Sequence, residues 1–410
     1  MAKKELKKLT REERIQKICE TVNKGQFGGE NKDAVTYLGS REVKKIGRFC
    51  TGSPDLDAAL GGGLPVGRFI ELFGAESSGK TTLCYHIMKE FQKAYPEDEI
   101  ALIDSEYAFD EVYAEQIGLN TKYLIVNQPE HGEQAMNVMG QLITLGTRLI
   151  IVDSVAGLTT KAEMEGEYGA SHVAQLARLM SNSLKKLAQA AGRTETTIIF
   201  TNQMRDKIGV TYGDKSTTPG GNALKFYASV RINLRRMDSE TETVNGQKVR
   251  ISNRVRAEVK KNKTAPPFRS ADFHITFGIG IDEVGAFFTS AITKGIIDKK
   301  GAWFSYDGEN LGQGQVASIE AVRNNEILWE SIKNAVLSCT DEEAETETET
   351  ETETEEPESP EEKPKAPIKK PSISKSKEGT KASDSVVEKV AVEDDDFDDL
   401  LDDDVEVDDV

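Results

Sequence analysis

Residues Gly74 to Thr81 read Gly-Ala-Glu-Ser-Ser-Gly-Lys-Thr, the spacing G-x-x-x-x-G-K-[ST] of a phosphate-binding loop. The residue types say what such a loop does. Its glycines let successive backbone N–H groups turn inward and cradle the phosphates of a nucleotide. Lys80 reaches the β- and γ-phosphates, and the Thr81 hydroxyl takes one Mg²⁺ position. Ala75, Glu76, Ser77, Ser78, Gly79 and Thr82 complete the candidate cradle. Context must support so short a match, and it does. Arg68-Phe-Ile-Glu-Leu-Phe73 reads as a buried strand, and Lys80 to Tyr95 carries apolar residues at helical spacing.

Two further sets of carboxylates sit where chemistry is expected. Leu149-Ile-Ile-Val152 is an aliphatic run ending in Asp153-Ser154, and open α/β sheets bind ligands at the carboxyl ends of such strands. Asp153 there suits a direct or second-shell Mg²⁺ carboxylate. Ala101-Leu-Ile-Asp104-Ser-Glu106 ends another strand. Residues two apart on a strand point to one face, so Asp104 and Glu106 are expected to project together. A carboxylate near the γ-phosphate can orient an attacking water, and Glu106, nearer the strand end, is the better candidate. On the residues alone the pair reads equally as catalysis or as a solvated turn.

The elements that must position these groups alternate. Strands are predicted at 68–73, 99–105, 123–127, 148–153 and 196–202, with helices at 80–95, 110–117, 131–145 and 171–191. The fold class is therefore α/β, a doubly wound, mainly parallel sheet. Strands near 229–237, 254–261 and 270–277 extend it, with a polar hairpin loop expected at 238–253. Before this core, residues 5–24 read as a basic helix with Leu6, Leu9, Ile15, Ile18 and Val22 on its apolar side. The expected organisation is a helical segment and linker at 1–48, free to fray as a basic arm or to dock on this protein or on a neighbouring subunit, and a nucleotide-binding core at 49–280. A small mixed α/β domain at 281–338 and an acidic tail at 339–410 follow.

The net charge of −18 over 410 residues is unevenly spread. Residues 341–410 hold 28 acidic and 8 basic residues, a net of −20, which leaves the body at +2. Glu-Thr repeats at 345–354 and the Asp-rich 393–409 bury too little apolar surface to fold. The basic body beside an acidic tail suggests an anionic partner. Cys19, Cys50, Cys84 and Cys339 form neither a disulfide framework nor a metal spacing. No apolar run approaches the ~20 residues of a membrane span. A soluble protein of a reducing compartment is expected.

Gly74–Thr81, Asp104-Ser-Glu106, Ile150-Ile-Val-Asp-Ser154, Phe200-Thr-Asn-Gln203 and Gly220-Gly-Asn-Ala-Leu-Lys-Phe-Tyr-Ala-Ser229 stand in the order found in bacterial-type RecA recombinases. The resemblance runs from about Thr51 to Asn334. It implies a DNA-dependent ATPase that forms helical filaments on single-stranded DNA and exchanges strands with a homologous duplex, with ATP and Mg²⁺ as cofactors. Single-strand-binding and mediator proteins are further implied partners, and no membrane is. By the same resemblance Glu106 activates water, and Gln203 senses the γ-phosphate for the loop that follows. Tyr113 stacks on adenine with Asp110 close to the base, and Lys261 and Lys263 reach the ATP of the adjacent subunit. Without the resemblance those lysines read as a solvated strand end or a phosphate patch. Glu111 and Tyr107 depart from the family pattern, which usually has proline and histidine there.

Two loops resemble the family's DNA-contacting segments. The first, from Met164, Glu165 and Gly166 to Ser171, is glycine-hinged. The second, Met204 to Pro219, mixes Arg205, Lys207 and Lys215 with Ile208 and Tyr212. Basic groups address phosphates while aromatic or aliphatic side chains stack on or wedge between bases. Arg178, Gly220 and Gly221 add phosphate contacts by the same analogy. Tyr168 and Thr211 replace aliphatic or Met residues usual in these loops. Two rival functions remain: a hexameric helicase, and an ATP-gated filament that promotes self-cleavage of a regulatory protein in the DNA-damage response.

Overall fold

The computed structural model describes residues 10–24, 35, 37, 46–167, 174–206, 216–244 and 247–352. These fall in one unit, Met1–Glu355, and the second unit, Glu356–Val410, lies outside the described residues.

Helix α1, Arg11–Lys24, forms where the basic helix is predicted, and none of its residues is buried. Leu6 and Leu9 lie outside the described residues. Next come β1 (Arg48–Phe49), α2 (Pro54–Leu60) and β2 (Leu64–Pro65). Ser53 caps α2, accepting from the Leu56 N–H, and Gly61 ends it in the left-handed region.

The core then alternates as the apolar periodicity requires. It runs β3 (Phe69–Gly74), α3 (Lys80–Ala94), β4 (Ile100–Asp104) and α4 (Glu111–Ile117). It continues through β5 (Leu124–Asn127), α5 (Gly132–Leu145) and β6 (Leu149–Asp153). A short helix α6 (Lys161–Met164), α7 (Gln175–Thr194) and β7 (Thr197–Gln203) complete the alternating part. The two-residue strands β8 (Arg205–Asp206) and β9 (Ser216–Thr217) pair with each other, and α8 (Ala223–Tyr227) follows.

Among the described residues the main sheet has nine strands. Its outer part is made by β10 (Val230–Val244), β11 (Gln247–Asn262), β12 (Ser270–Thr276) and β13 (Gly280–Ile281). The order is β13-β12-β11-β10-β3-β7-β6-β4-β5. Strands β10, β3, β7, β6, β4 and β5 run parallel, and the remaining pairs are antiparallel. The unbroken aliphatic run of β6 follows from burial on both faces. Leu149 and Ile151 join one core cluster with α2, α3 and α4, whereas Ile150 and Val152 join the other with α5 and α7. Helices thus cover both faces, and the doubly wound reading holds.

One expectation is corrected. Residues 238–244 and 247–253 are strand and not loop, because β10 and β11 continue through them as an antiparallel ribbon, with Ser239 opposite Asn253 and Val244 opposite Gln247. Acidic residues alternating with hydroxyl residues, Asp238-Ser-Glu-Thr-Glu-Thr243, masked the strand signal. Complementary charge across the ribbon replaces apolar packing there: Arg254 pairs with Asp238 at 2.7 Å.

A third cluster is built by α9 (Glu283–Thr293), β14 (Asp298–Lys300), β15 (Trp303–Tyr306), β16 (Glu309–Gln313), α10 (Gln315–Arg323) and α11 (Glu326–Thr352). Phe287, Phe288, Phe304, Val322, Ile332 and Val336 form its interior. Helix α11 runs past residue 338 into the first Glu-Thr repeats, whose glutamates favour helix. The rest of the tail lies outside the described residues.

Candidate functional site

The phosphate loop joins β3 to α3. Gly79, at the helix start, has φ 89°, a left-handed conformation that glycine alone adopts without cost. A β-carbon there would also lie 2.3 Å from Ile275 on β12, so both backbone and packing demand glycine. No side chain caps α3, which leaves its first N–H groups free for an anion. Ser78 is buried and its hydroxyl has no hydrogen-bond partner. An orphaned hydroxyl beside uncapped amides and a lysine fits a phosphate chain.

Lys80 Nζ donates to the Ala75 carbonyl at 2.9 Å. Burial pulls its pKa down, and the nearby Asp153 and Glu106 carboxylates oppose that shift. Thr81 Oγ1 donates to Asp153 Oδ2 at 2.7 Å, and Thr201 on β7 donates to the other oxygen. Burial pushes the Asp153 carboxyl above its usual range, against these hydrogen bonds. The donor set of hydroxyl and carboxylate oxygens suits a hard divalent cation such as Mg²⁺.

Glu106 lies just beyond β4, exposed at the mouth of this site. Its Oε1 accepts from Ser154 Oγ and, at 3.2 Å, from Gln203 Nε2. The ends of three neighbouring strands, β4, β6 and β7, therefore converge on one carboxylate. Together with the phosphate loop, Glu106, Asp153 and Gln203 line a pocket of about 210 Å³.

Asp104 does not project beside Glu106. It is buried and accepts from the backbone N–H groups of Ala108 and Phe109 and from the Gln128 amide at 3.0 Å. Strand alternation stops at Asp104, so the rule of equal faces does not extend to residue 106. On the base side, Tyr113 Oη lies 3.2 Å from Thr82 Oγ1. Asp110 caps α4 through the Tyr113 N–H at 2.9 Å.

Lys261 lies on β11, its Nζ 2.7 Å from the Lys225 carbonyl and 3.1 Å from that of Phe226. Burial lowers its pKa, and the charges of Lys263 and Arg231 add to that. Lys263 donates its N–H to the Ser229 carbonyl. Neither lysine lines the phosphate pocket.

Of the candidate DNA residues, Met164, Glu165, Gly166, Arg178 and Arg205 are exposed. A β-carbon on Gly221 would lie 2.8 Å from that of Ala177, which puts the end of the second loop beside Arg178. Lys207, Ile208 and Tyr212 lie outside the described residues, as do Tyr168 and Thr211. Sequence reasoning missed Ser154 and Thr201 as partners of the two carboxylates. A threonine ending the apolar Ile198-Ile-Phe200 was the available signal.

A larger groove of about 1240 Å³ lies between β12 and helices α9 and α10. Its walls mix Asp55, Asp272 and Asp282 with Arg254 and Arg323, and none of the phosphate-loop residues lines it. The chemistry belongs to the smaller pocket.

A family model described as the RecA N-terminal domain matches residues 13–282. The chain belongs to the RecA family. A second model, the RecA C-terminal domain, matches residues 285–340. Among curated relatives, the protein named Protein RecA of Desulforapulum autotrophicum is 48% identical over 305 residues, covering 74% of this chain and 85% of that protein. Its namesake in Zymomonas mobilis is 46% identical over 316 residues, covering 77% and 88%. The namesake in Streptomyces venezuelae is 45% identical over 313 residues, covering 76% and 80%. As a member of the RecA family the chain is a DNA-dependent ATPase of recombination and repair. Nucleotide binding, DNA binding and filament formation follow from the family. No described helix is long and apolar enough to cross a membrane.

Proposed function

We propose that this member of the RecA family binds ATP with Mg²⁺ at the phosphate loop, coats single-stranded DNA, and pairs that strand with a homologous duplex. One observation carries the assignment of roles. Glu106 is held by donors from the ends of β6 and β7 at the mouth of the pocket that contains Lys80, Thr81 and Asp153. Glu106 orients and deprotonates the attacking water. Lys80 and the uncapped amides of α3 hold the phosphates. Thr81 and Asp153 hold Mg²⁺, which offsets charge on the phosphates. Gln203 stands between the pocket and the second loop, which begins at Met204. The segment 1–48 serves assembly, and the acidic tail meets partners or competes with DNA.

Residues 164–166, 178, 205, 207, 208, 212, 220 and 221 form the DNA-contacting surface in this reading. Basic groups meet phosphate while Ile208 and Tyr212 address the bases. Electron microscopy with single-stranded DNA and a slowly hydrolysed ATP analogue tests it. Helical filaments are expected. Closed rings would support the helicase alternative instead, against which the match running through residue 340 already weighs.

A further inference from the structure

Between Glu106 and both candidate DNA loops lies one short turn, Val155–Gly157, entered through Ser154. Four contacts fix it. Ser154 Oγ donates to Glu106 Oε1. Ser105 Oγ donates to the Ser154 carbonyl at 2.6 Å, which ties the turn to the residue before the glutamate. A β-carbon on Gly157 would lie 3.2 Å from Glu106 Cγ and 2.9 Å from the Ser105 carbonyl oxygen. The glutamate side chain therefore rests directly on a turn that has room only for glycine. On its other side, a β-carbon on Gly220 would lie 2.9 Å from Val155 Cγ1, so the far end of the second loop packs on the same turn.

The turn also leads straight into the first loop. Three residues on, Thr160 caps α6, and α6 ends at Met164, where that loop starts. Its stem is anchored on α5: the Gly132 N–H donates to the Thr159 carbonyl at 2.7 Å, and the Lys161 N–H to Glu133 at 2.9 Å. A displacement of the first loop has a rigid lever back to Ser154.

We propose that Ser154 is a positioning residue that restrains Glu106 in the DNA-free state, so that the first DNA loop governs hydrolysis through the Ser154–Gly157 turn, separately from Gln203. This rests on reading Glu106 as the water-activating carboxylate. The physical reason is hydrogen-bond competition. With Ser154 and Gln203 both donating to Oε1, the acceptor positions of that oxygen are occupied, and a water must compete for them. Withdrawal of the Ser154 hydroxyl, when the turn shifts with its loop, frees the oxygen for the proton it must accept.

The test compares turnover with and without single-stranded DNA, at saturating ATP, for wild type, Ser154→Ala, Ser154→Thr and Gly157→Ala. Ser154→Ala is expected to raise DNA-free turnover about fivefold, the worth of one hydrogen bond, and to change DNA-stimulated turnover less than about twofold. The KM for ATP stays at the wild-type value. Ser154→Thr keeps the donor and restores the wild-type ratio of the two rates. Gly157→Ala crowds Ser105 and Glu106 Cγ and shifts the ratio; Ser154→Cys, a weaker donor of similar size, serves if Ser154→Ala does not fold. An unchanged ratio, or an equal fall in both rates, overturns the proposal. Glu106→Gln separates the two failures. Normal hydrolysis by that variant removes the reading of the site itself. An inactive Glu106→Gln beside a Ser154→Ala protein of wild-type ratio removes only the coupling.

Discussion

The Thr81 hydroxyl donates to Asp153 Oδ2 over 2.7 Å, joining the first turn of α3 to the end of β6. These oxygens come from elements 72 residues apart in sequence, and their meeting defines where a divalent cation can sit. Asp153→Asn keeps the shape and accepts the same hydroxyl, but removes the charge. The variant is expected to need a several-fold higher Mg²⁺ concentration for half-maximal ATPase, with its fold unchanged. Turnover measured across a Mg²⁺ series checks this, and a curve that overlays wild type would remove Asp153 from the metal site.

Glu106→Gln retains the size of the side chain and loses the base. Nucleotide binding and filament formation should persist while hydrolysis falls by about 10²-fold or more. Lys80→Ala should differ, losing nucleotide binding as well, because the phosphate charge loses its partner inside the loop. Binding of a fluorescent nucleotide separates the two. A Glu106→Gln protein that hydrolyses ATP normally at saturating DNA would sink the assignment.

His86 supplies a prediction about pH. It lies buried on α3, and its Nε2 accepts the Ile281 N–H at 2.8 Å, so the ring is neutral with its proton on Nδ1. Burial first, then the charges of Lys89 and Lys93, lower its pKa from 6.5 to about 3, with Glu283 opposing. The unfolded chain therefore takes up this proton first. The contribution is fully present above about 6.5 and is lost as pH falls towards 3, at up to about 1.4 kcal/mol per pH unit. His86→Gln keeps an acceptor but does not titrate. It should be less stable than wild type at pH 7, yet lose less stability on acidification to pH 4. Asp57, pushed up to about 7 chiefly by burial, titrates in the opposite sense in both proteins and cancels in the difference. Parallel stability curves from denaturant titrations would contradict the role given to the histidine.

How much of this was legible in the sequence depends on the range of the interaction. The phosphate loop, the strand before it and the helix after it were readable because glycine spacing, two-sided burial and helical periodicity are local properties. Asp153 was readable for the same reason, as the polar end of an aliphatic run. The role of Asp104 was not, since its partners Ala108, Phe109 and Gln128 are set by how the chain turns after β4. Ser154 was equally hidden. Its hydroxyl meets Glu106 only because β4 and β6 are neighbours in the sheet, and strand order is not a property of any one segment. The ribbon through 238–253 was misread because its stability comes from pairing across strands, which periodicity along one strand does not record.

Lys261 and Lys263 give the last prediction, which follows from sheet register. Lys261 pairs with Arg231 on β10, and Arg231 pairs with Glu71 on β3. The phosphate loop starts three residues further along β3, at Gly74, and two strands across. That is about 10 Å along the strand and a similar distance sideways, too far for the lysines to serve their own protomer's phosphates by a small adjustment. We propose instead that they reach a neighbouring copy, where cationic groups supplied in trans stabilise charge in the transition state. Lys263→Ala should therefore leave nucleotide binding by isolated protomers intact and reduce DNA-stimulated turnover. Mixing decides the matter. A Lys263→Ala protein carries an intact phosphate loop, and a Lys80→Ala protein carries intact trans lysines. In mixed filaments, interfaces that join the two good halves should recover part of the ATPase, most strongly near equal proportions. Absence of recovery at every ratio, with mixed filaments demonstrated by differential labelling, would mean that each protomer completes its own site.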